Sequence, residues 1–150
     1  MSAIDLTLQA LTRLAWCGRL DPKVYMLARK LTDREASRQA KMEAIVDHMH
    51  RQFQLGRQPD PVGAEALTGG YVDSIAKQAF DADDACLYLA SAAMSVGIRC
   101  RFVAARYDQA WTCWVAYEVG DHWETVDPLR QRPDREPDER VTGPMPEDVP

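Results

Sequence analysis

The sequence predicts an α+β fold: N-terminal helices and a central buried helix packed on a small antiparallel sheet. Three observations predict it. Apolar residues recur at helical spacing through the first third of the chain, an Ala-rich run with stop signals at both ends fills residues 82–96, and alternating strands fill residues 98–126. Helices gathered before strands, rather than alternating with them, point to a sheet backed by helices.

The first helix is predicted from Ile4, Leu8, Leu11 and Ala15, with Gly18 as its stop. Asp21-Pro22 then supplies a cap and a residue tolerated at the first helical position, and Val24, Leu27, Ala28 and Leu31 form one apolar stripe. Thr32-Asp33-Arg34-Glu35 has the pattern of a capping box, which predicts a third helix carried by Met42, Ile45, Val46, Met49 and Phe53 as far as Gly56. Pro59, Pro61, Gly63, Gly69 and Gly70 break any regular period, so residues 56–70 read as a loop, with a short helix or turn beginning at Tyr71.

The central helix is capped by Asp81, carries Asp83 and Asp84 in the first turn where the helix dipole favours negative charge, and stops at Gly97. Ala85, Leu89, Ala92, Ala93 and Val96 form its apolar stripe, and their small side chains allow a sheet to approach closely. Three strands follow. Ile98, Cys100, Phe102 and Ala104 alternate with Arg99, Arg101 and Val103; Trp111 to Val119 forms the second strand, and Gly120-Asp121 turns it into His122 to Val126. Arg99, Arg101 and Arg106 read as a solvated sheet face.

Composition narrows the function classes. A chain of 150 residues with 46% hydrophobic content is long enough for one domain with a real core, here residues 1–128. The net charge of −5 argues against nucleic acid, which selects a basic face. No apolar run approaches a membrane span, and Met1-Ser2-Ala3-Ile4-Asp5 lacks the order of a secretory leader, so the protein is expected in the cytoplasm or assembled there. Cys17, Cys86, Cys100 and Cys113 show no zinc-ligand spacing and are expected reduced and mostly buried. Asp81, Asp83 and Asp84 are explained by capping and the dipole, so neither metal nor cofactor is expected. Residues 129–150 hold five prolines, four arginines and six acidic residues with little to bury. Such a tail is expected to be disordered alone, and to order against another chain through Val141, Met145 and Val149.

The stretch from Phe80 to Pro128 carries a more specific signal. It reads Phe80-Asp81-Ala82-Asp83-Asp84 into a helix, then Gly97-Ile98-Arg99-Cys100-Arg101-Phe102-Val103, Trp111-Thr112-Cys113-Trp114-Val115 and Trp123-Glu124-Thr125-Val126-Asp127-Pro128. This resembles the transglutaminase-like family of cysteine acyltransferases and proteases, including its small phage and bacterial members, over residues 21–128. The resemblance implies a papain-like core in which Gly-Asp-Cys-Asp-Asp opens the helix, followed by Gly-Ile-Pro-x-Arg-Phe-Val, His-x-Trp-Val and Trp-x-x-x-Asp-Pro strands. It puts Ala82 at the nucleophile position, Thr112 at that of the histidine and Asp127 at that of the aspartate.

Such chemistry needs a thiol activated at a helix start, a neighbouring base, and a carboxylate orienting that base. Ala82 has no nucleophile, and Thr112 has no proton-accepting state near neutral pH. Phe80 replaces a glycine where the family's substrate approaches, and its ring is expected to narrow the cleft. Cys86, one turn beyond Ala82, reads as a buried thiol of the Ala-rich stripe; Cys113 faces away from the Thr112 side. His48 and His50 lie on different helix faces, and His122 begins the last strand.

The expectation is therefore a non-enzymatic structural or interaction protein on a degenerate transglutaminase-like scaffold. The resemblance to small phage relatives extends it to a virion component at the capsid or head–tail region, assembled in the bacterial cytoplasm with other virion proteins as partners. Two alternatives stand beside it: a cysteine protease, amidase or transglutaminase silenced at residue 82, and a host adaptor that binds peptides in the old cleft. The codon for residue 82 in the unmodified gene separates the silenced enzyme from the degenerate one.

Overall fold

The computed structural model of the chain describes residues 1–55 and 79–149. The predicted loop at 56–70, the turn at Tyr71 and the stop at Gly56 lie outside the described residues, as does the side chain of Phe80. Helix α1 (Ala3–Gly18) opens with Ser2, whose hydroxyl accepts from Asp5 N–H while the Asp5 carboxylate accepts from Ser2 N–H. Helix α2 (Pro22–Thr32) starts at Asp21 with Pro22 in its first turn, as the sequence predicts.

Helix α3 (Arg38–Gln52) corrects the expected start at Thr32-Asp33-Arg34-Glu35. Thr32 is buried as the last residue of α2, and its hydroxyl donates to Ala28 O at 2.8 Å, so it is spent on the preceding helix. Ser37 caps α3 instead, accepting from Ala40 N–H at 3.1 Å. A two-residue parallel pair follows, β1 (Gln54–Leu55) with β2 (Ala79–Phe80), which no periodicity could reveal at that length.

Helix α4 (Ala82–Ser95) is the centre of the molecule. Asp81 and Asp84 form a reciprocal capping box at its start, and every residue from Asp84 to Met94 is buried. It packs on α1, α2 and α3 on one side and on β3 (Cys100–Tyr107) and β4 (Ala110–Val119) on the other. Gly97, at φ +85°, turns the chain out of the helix into β3, a left-handed conformation that favours glycine.

The four-stranded antiparallel sheet has the order β5-β4-β3-β6, with β5 at His122–Val126 and β6 at Glu139–Thr142. Its inner face sets Cys100, Phe102, Ala104, Cys113, Val115 and Tyr117 into the main core. The outer face is not the solvated surface that Arg99, Arg101 and Arg106 suggested. Val103, Ala105, Trp114 and Ala116 form a second buried cluster there, with Tyr107 and Trp123 against it.

The C-terminal segment also departs from expectation. Glu139–Thr142 pairs with β3, matching Val103 to Thr142 and Arg106 to Glu139, so part of the expected tail is an edge strand of this chain's own sheet. Val141 packs against the main core, Met145 lines a small cavity with Trp16 and Met94, and Val149 is half-buried behind the 3-10 turn Pro146–Asp148. What holds this segment is largely polar: ladder hydrogen bonds to β3 and ion pairs of Arg99 with Glu147 at 2.6 Å and of Arg106 with Glu139 at 3.3 Å.

Gly143 lets β6 leave this edge. A Cβ there would stand 3.1 Å from Phe102 O and 3.2 Å from Leu8 Cβ, so any side chain at this point requires β3 or α1 to give by a few tenths of an ångström.

Candidate functional site

Ala82, Thr112 and Asp127 line one cleft of about 370 Å³, together with Asp81, Asp83, Tyr107, Trp111, Trp114 and Arg132. Three elements bring them together. Helix α4 begins at Ala82 and points its N-terminus into the cleft, β4 carries Thr112 near its start, and the turn after β5 carries Asp127. On β4 the alternation sets Thr112 and Trp114 on the outer face and buries Cys113 on the inner one.

The Asp127 carboxylate is engaged by its own turn. Oδ1 accepts from Leu129 N–H at 3.0 Å, and Oδ2 accepts from Gln131 N–H at 2.8 Å. That turn is tied to α3, because the His50 imidazole donates through Nε2 to Pro128 O at 2.7 Å and the Arg130 guanidinium reaches Glu43 and Asp47. Asp127 therefore shapes the floor of the cleft through backbone contacts, and no imidazole meets it among its hydrogen bonds in the described residues.

All three histidines and all four cysteines fall within the described residues, since 56–78 contains neither type. None of them lines the cleft. Cys86 is fully buried one turn into α4, with its Sγ–H donating to Cys113 O at 3.1 Å; burial first, then the neighbouring Cys113, pushes its pKa well up and keeps it a thiol. Burial likewise raises Cys100, and Cys113 is 3% exposed beneath the sheet. Cys17 is exposed on α1 and does not line the cleft.

The imidazoles are placed just as far from nucleophilic work. His48 stacks edge-on against Phe53, and desolvation lowers its pKa. His122 is exposed at the start of β5, where Glu124 and Asp121 raise its pKa. Among the described residues no group of three or more His, Cys, Asp or Glu is gathered as a metal would require, and no helix is long and apolar enough to cross a membrane.

Sequence reading missed what surrounds the three aligned positions. Arg132 lies with its guanidinium carbon 3.9 Å from the Trp114 ring centroid and donates to Thr125 Oγ1 at 2.7 Å. Arg132 comes from the segment read as a free tail, and nothing in its local pattern places it beside β4.

No family model matches the chain, and no curated protein matches it. Solved structures do. A candidate cysteine protease from Cytophaga hutchinsonii superposes with a TM-score of 0.64 at 15% identity, over 87% of this chain and 43% of the other. A candidate protease from Parabacteroides distasonis gives 0.57 at 17% identity, over 78% of this chain and 25% of the other. The periplasmic domain of TgpA from Pseudomonas aeruginosa gives 0.54 at 21% identity, over 79% of this chain and 48% of that domain. The chain thus shares its α+β fold with these structures, and it spans a quarter to about half of their length.

Proposed function

We propose that the chain is a non-enzymatic interaction protein built on a degenerate transglutaminase-like scaffold. One observation carries this reading: Ala82, Thr112 and Asp127 share a cleft while every thiol and imidazole of the chain stands elsewhere. Acyl transfer through a cysteine needs an accessible thiolate beside a base. Burial keeps Cys86 and Cys100 as thiols, Cys113 is shut beneath the sheet, and the Thr112 hydroxyl has no imidazole on the cleft wall to take its proton.

The assay that tests this uses the purified chain against a panel of peptide amides and glutamine-bearing acyl donors, with hydrolysis and amine incorporation both followed. The expected result is no turnover above buffer. Turnover that survives alkylation of Cys17 and is abolished by Thr112→Val would overturn the reading.

The more specific form of the proposal is a phage virion component, supported by the resemblance to small phage relatives. Mass spectrometry of purified particles tests it: the chain is expected in stoichiometric amount in the capsid or head–tail fraction. Its confinement to the soluble cell extract after particle removal would contradict it.

A further inference from the structure

Seven arginines lie between Arg99 and Arg140, and the fold neutralises them unevenly. Arg99 pairs with Glu118 and Glu147, Arg106 with Asp138 and Glu139, Arg130 with Glu43 and Asp47, and Arg135 with Asp108 and Asp138. Arg140 has one ion pair among the described residues, at 3.4 Å, with a Glu136 side chain that is 85% exposed. Arg101 and Arg132 have no carboxylate within ion-pair distance among the described residues.

Both unpaired arginines are held against tryptophan on the outer sheet face, where Arg140 also reaches Trp114 at 5.3 Å. Arg101 lies 4.4 Å from the Trp123 ring centroid, and Arg132 lies 3.9 Å from that of Trp114. Stacking fixes a guanidinium plane while leaving N–H edges open to an acceptor, which suits fork-like recognition of a carboxylate. The fold supplies little of that recognition itself: Arg101 Nε is buried without an acceptor, which leaves the terminal nitrogens of that guanidinium to a partner, and Arg132 donates to Thr125 Oγ1.

Their spacing follows from the fold. Arg101 reaches across the sheet to Trp123, two residues before Thr125 on β5, and Arg132 is bonded to Thr125, so the two contact points on β5 lie about 7 Å apart. An extended segment covers that span in two residues at ~3.3 Å each. In the adjoining cleft, Trp111 at 38% exposure offers an apolar surface for an uncharged side chain, while Asp81, Asp83 and Asp127 on the same wall confine the acidic side chains to the Arg101 and Arg132 side.

We propose that this outer face binds a short acidic segment of a partner protein, with carboxylates two or three residues apart received by Arg101 and Arg132. The inference rests on the chain being an interaction protein and names the class of its partner. Nucleic acid fits the face less well, because two unpaired cations on a chain of net charge −5 cannot neutralise the ~6–10 phosphates of a typical nucleic-acid site.

The test is fluorescence anisotropy with two fluorescein-labelled peptides, Ala-Glu-Trp-Glu-Ala-Glu-Ala and the same sequence with Gln in place of every Glu. The Glu peptide is expected to bind the natural chain about tenfold or more tightly than the Gln peptide, and the preference should shrink as salt rises. The double variant Arg101→Gln/Arg132→Gln should lose that preference, whereas Arg29→Gln, at an unrelated exposed ion pair on α2, should keep it. Arg101→Lys/Arg132→Lys retains the charges without the forks and should fall between.

Equal binding of the two peptides, absence of saturable binding of the Glu peptide, or a folded double Gln variant that keeps the full preference would each overturn the proposal. So would displacement of the Glu peptide by an equal concentration of inorganic phosphate or oligothymidylate. Should the double Gln variant fail to fold, the two-peptide comparison on the natural chain still decides. Amide turnover, if found, would sink the non-enzymatic reading and leave this comparison unaffected.

Discussion

On the inner face of the sheet, Phe102, Cys113 and Val115 lie against α4, apolar on apolar; on the outer face Val103, Ala105, Trp114 and Ala116 are as deeply buried, yet arginine covers them. Trp114 is 0% exposed with guanidinium carbons of Arg132 and Arg140 at 3.9 and 5.3 Å from its ring centroid. The inner face is stabilised by area removed from water. The outer face adds cation–π contact and keeps charge at the surface, which is a poor way to build a core and a good way to present a binding surface.

The sharpest way to break this comparison is to remove one large side chain from each face. Phe102→Ala should cost about 3–5 kcal/mol, as for other buried aromatics. If the outer cluster is a genuine second core, Trp114→Ala should cost about as much by equilibrium urea unfolding. A loss under about 1 kcal/mol, ordinary for a surface position, would reduce the outer face to decoration. Next in size, Gly143→Ala should cost about 1–3 kcal/mol, because the added methyl must push Leu8 or the Phe102 carbonyl at the β3 edge. An unchanged denaturation midpoint there would mean that β6 is not held where it lies.

How much was legible in the sequence follows the same division. Asp81 at the start of α4, Gly97 at its end and the inner-face alternation of Cys100, Phe102 and Ala104 are local signals, and the structure has each. Thr32 misled because a hydroxyl near a helix boundary can cap forwards or bond backwards, and its burial decided for Ala28 O. Strand β6 was invisible because it is held by the edge of β3 and by ion pairs, which leave no apolar period. The site divides likewise: Ala82, Thr112 and Asp127 could be aligned by motif, whereas Arg132 reaches the cleft only through the path of the segment after Leu129.

The smallest expected effect is a pH response confined to that segment. The Asp108 backbone N–H and then Arg135 hold Asp138 below the usual carboxylate range, and the backbone and then Arg99 do so for Glu147. A depressed folded pKa contributes stability above the unfolded value and loses it as pH falls through the folded one. Hydrogen-exchange protection of the Val141 and Gly143 amides, which face β3, should therefore drop in acid before that of Val103 or Val115. Simultaneous loss at all four positions would contradict the polar attachment of β6.

The central proposal is that the cleft retains the positions of a triad without its chemistry, and Ala82→Cys tests it most directly. The single variant places a thiol at the start of α4, beside Thr112 and an Asp127 already engaged by Leu129 and Gln131. Residues of a triad act as a unit, so the variant is expected to show no amide hydrolysis or acyl transfer above the natural chain. Multiple turnovers by the single Ala82→Cys protein, lost again on alkylating that thiol, would show that a base serves the cleft and that the account is wrong.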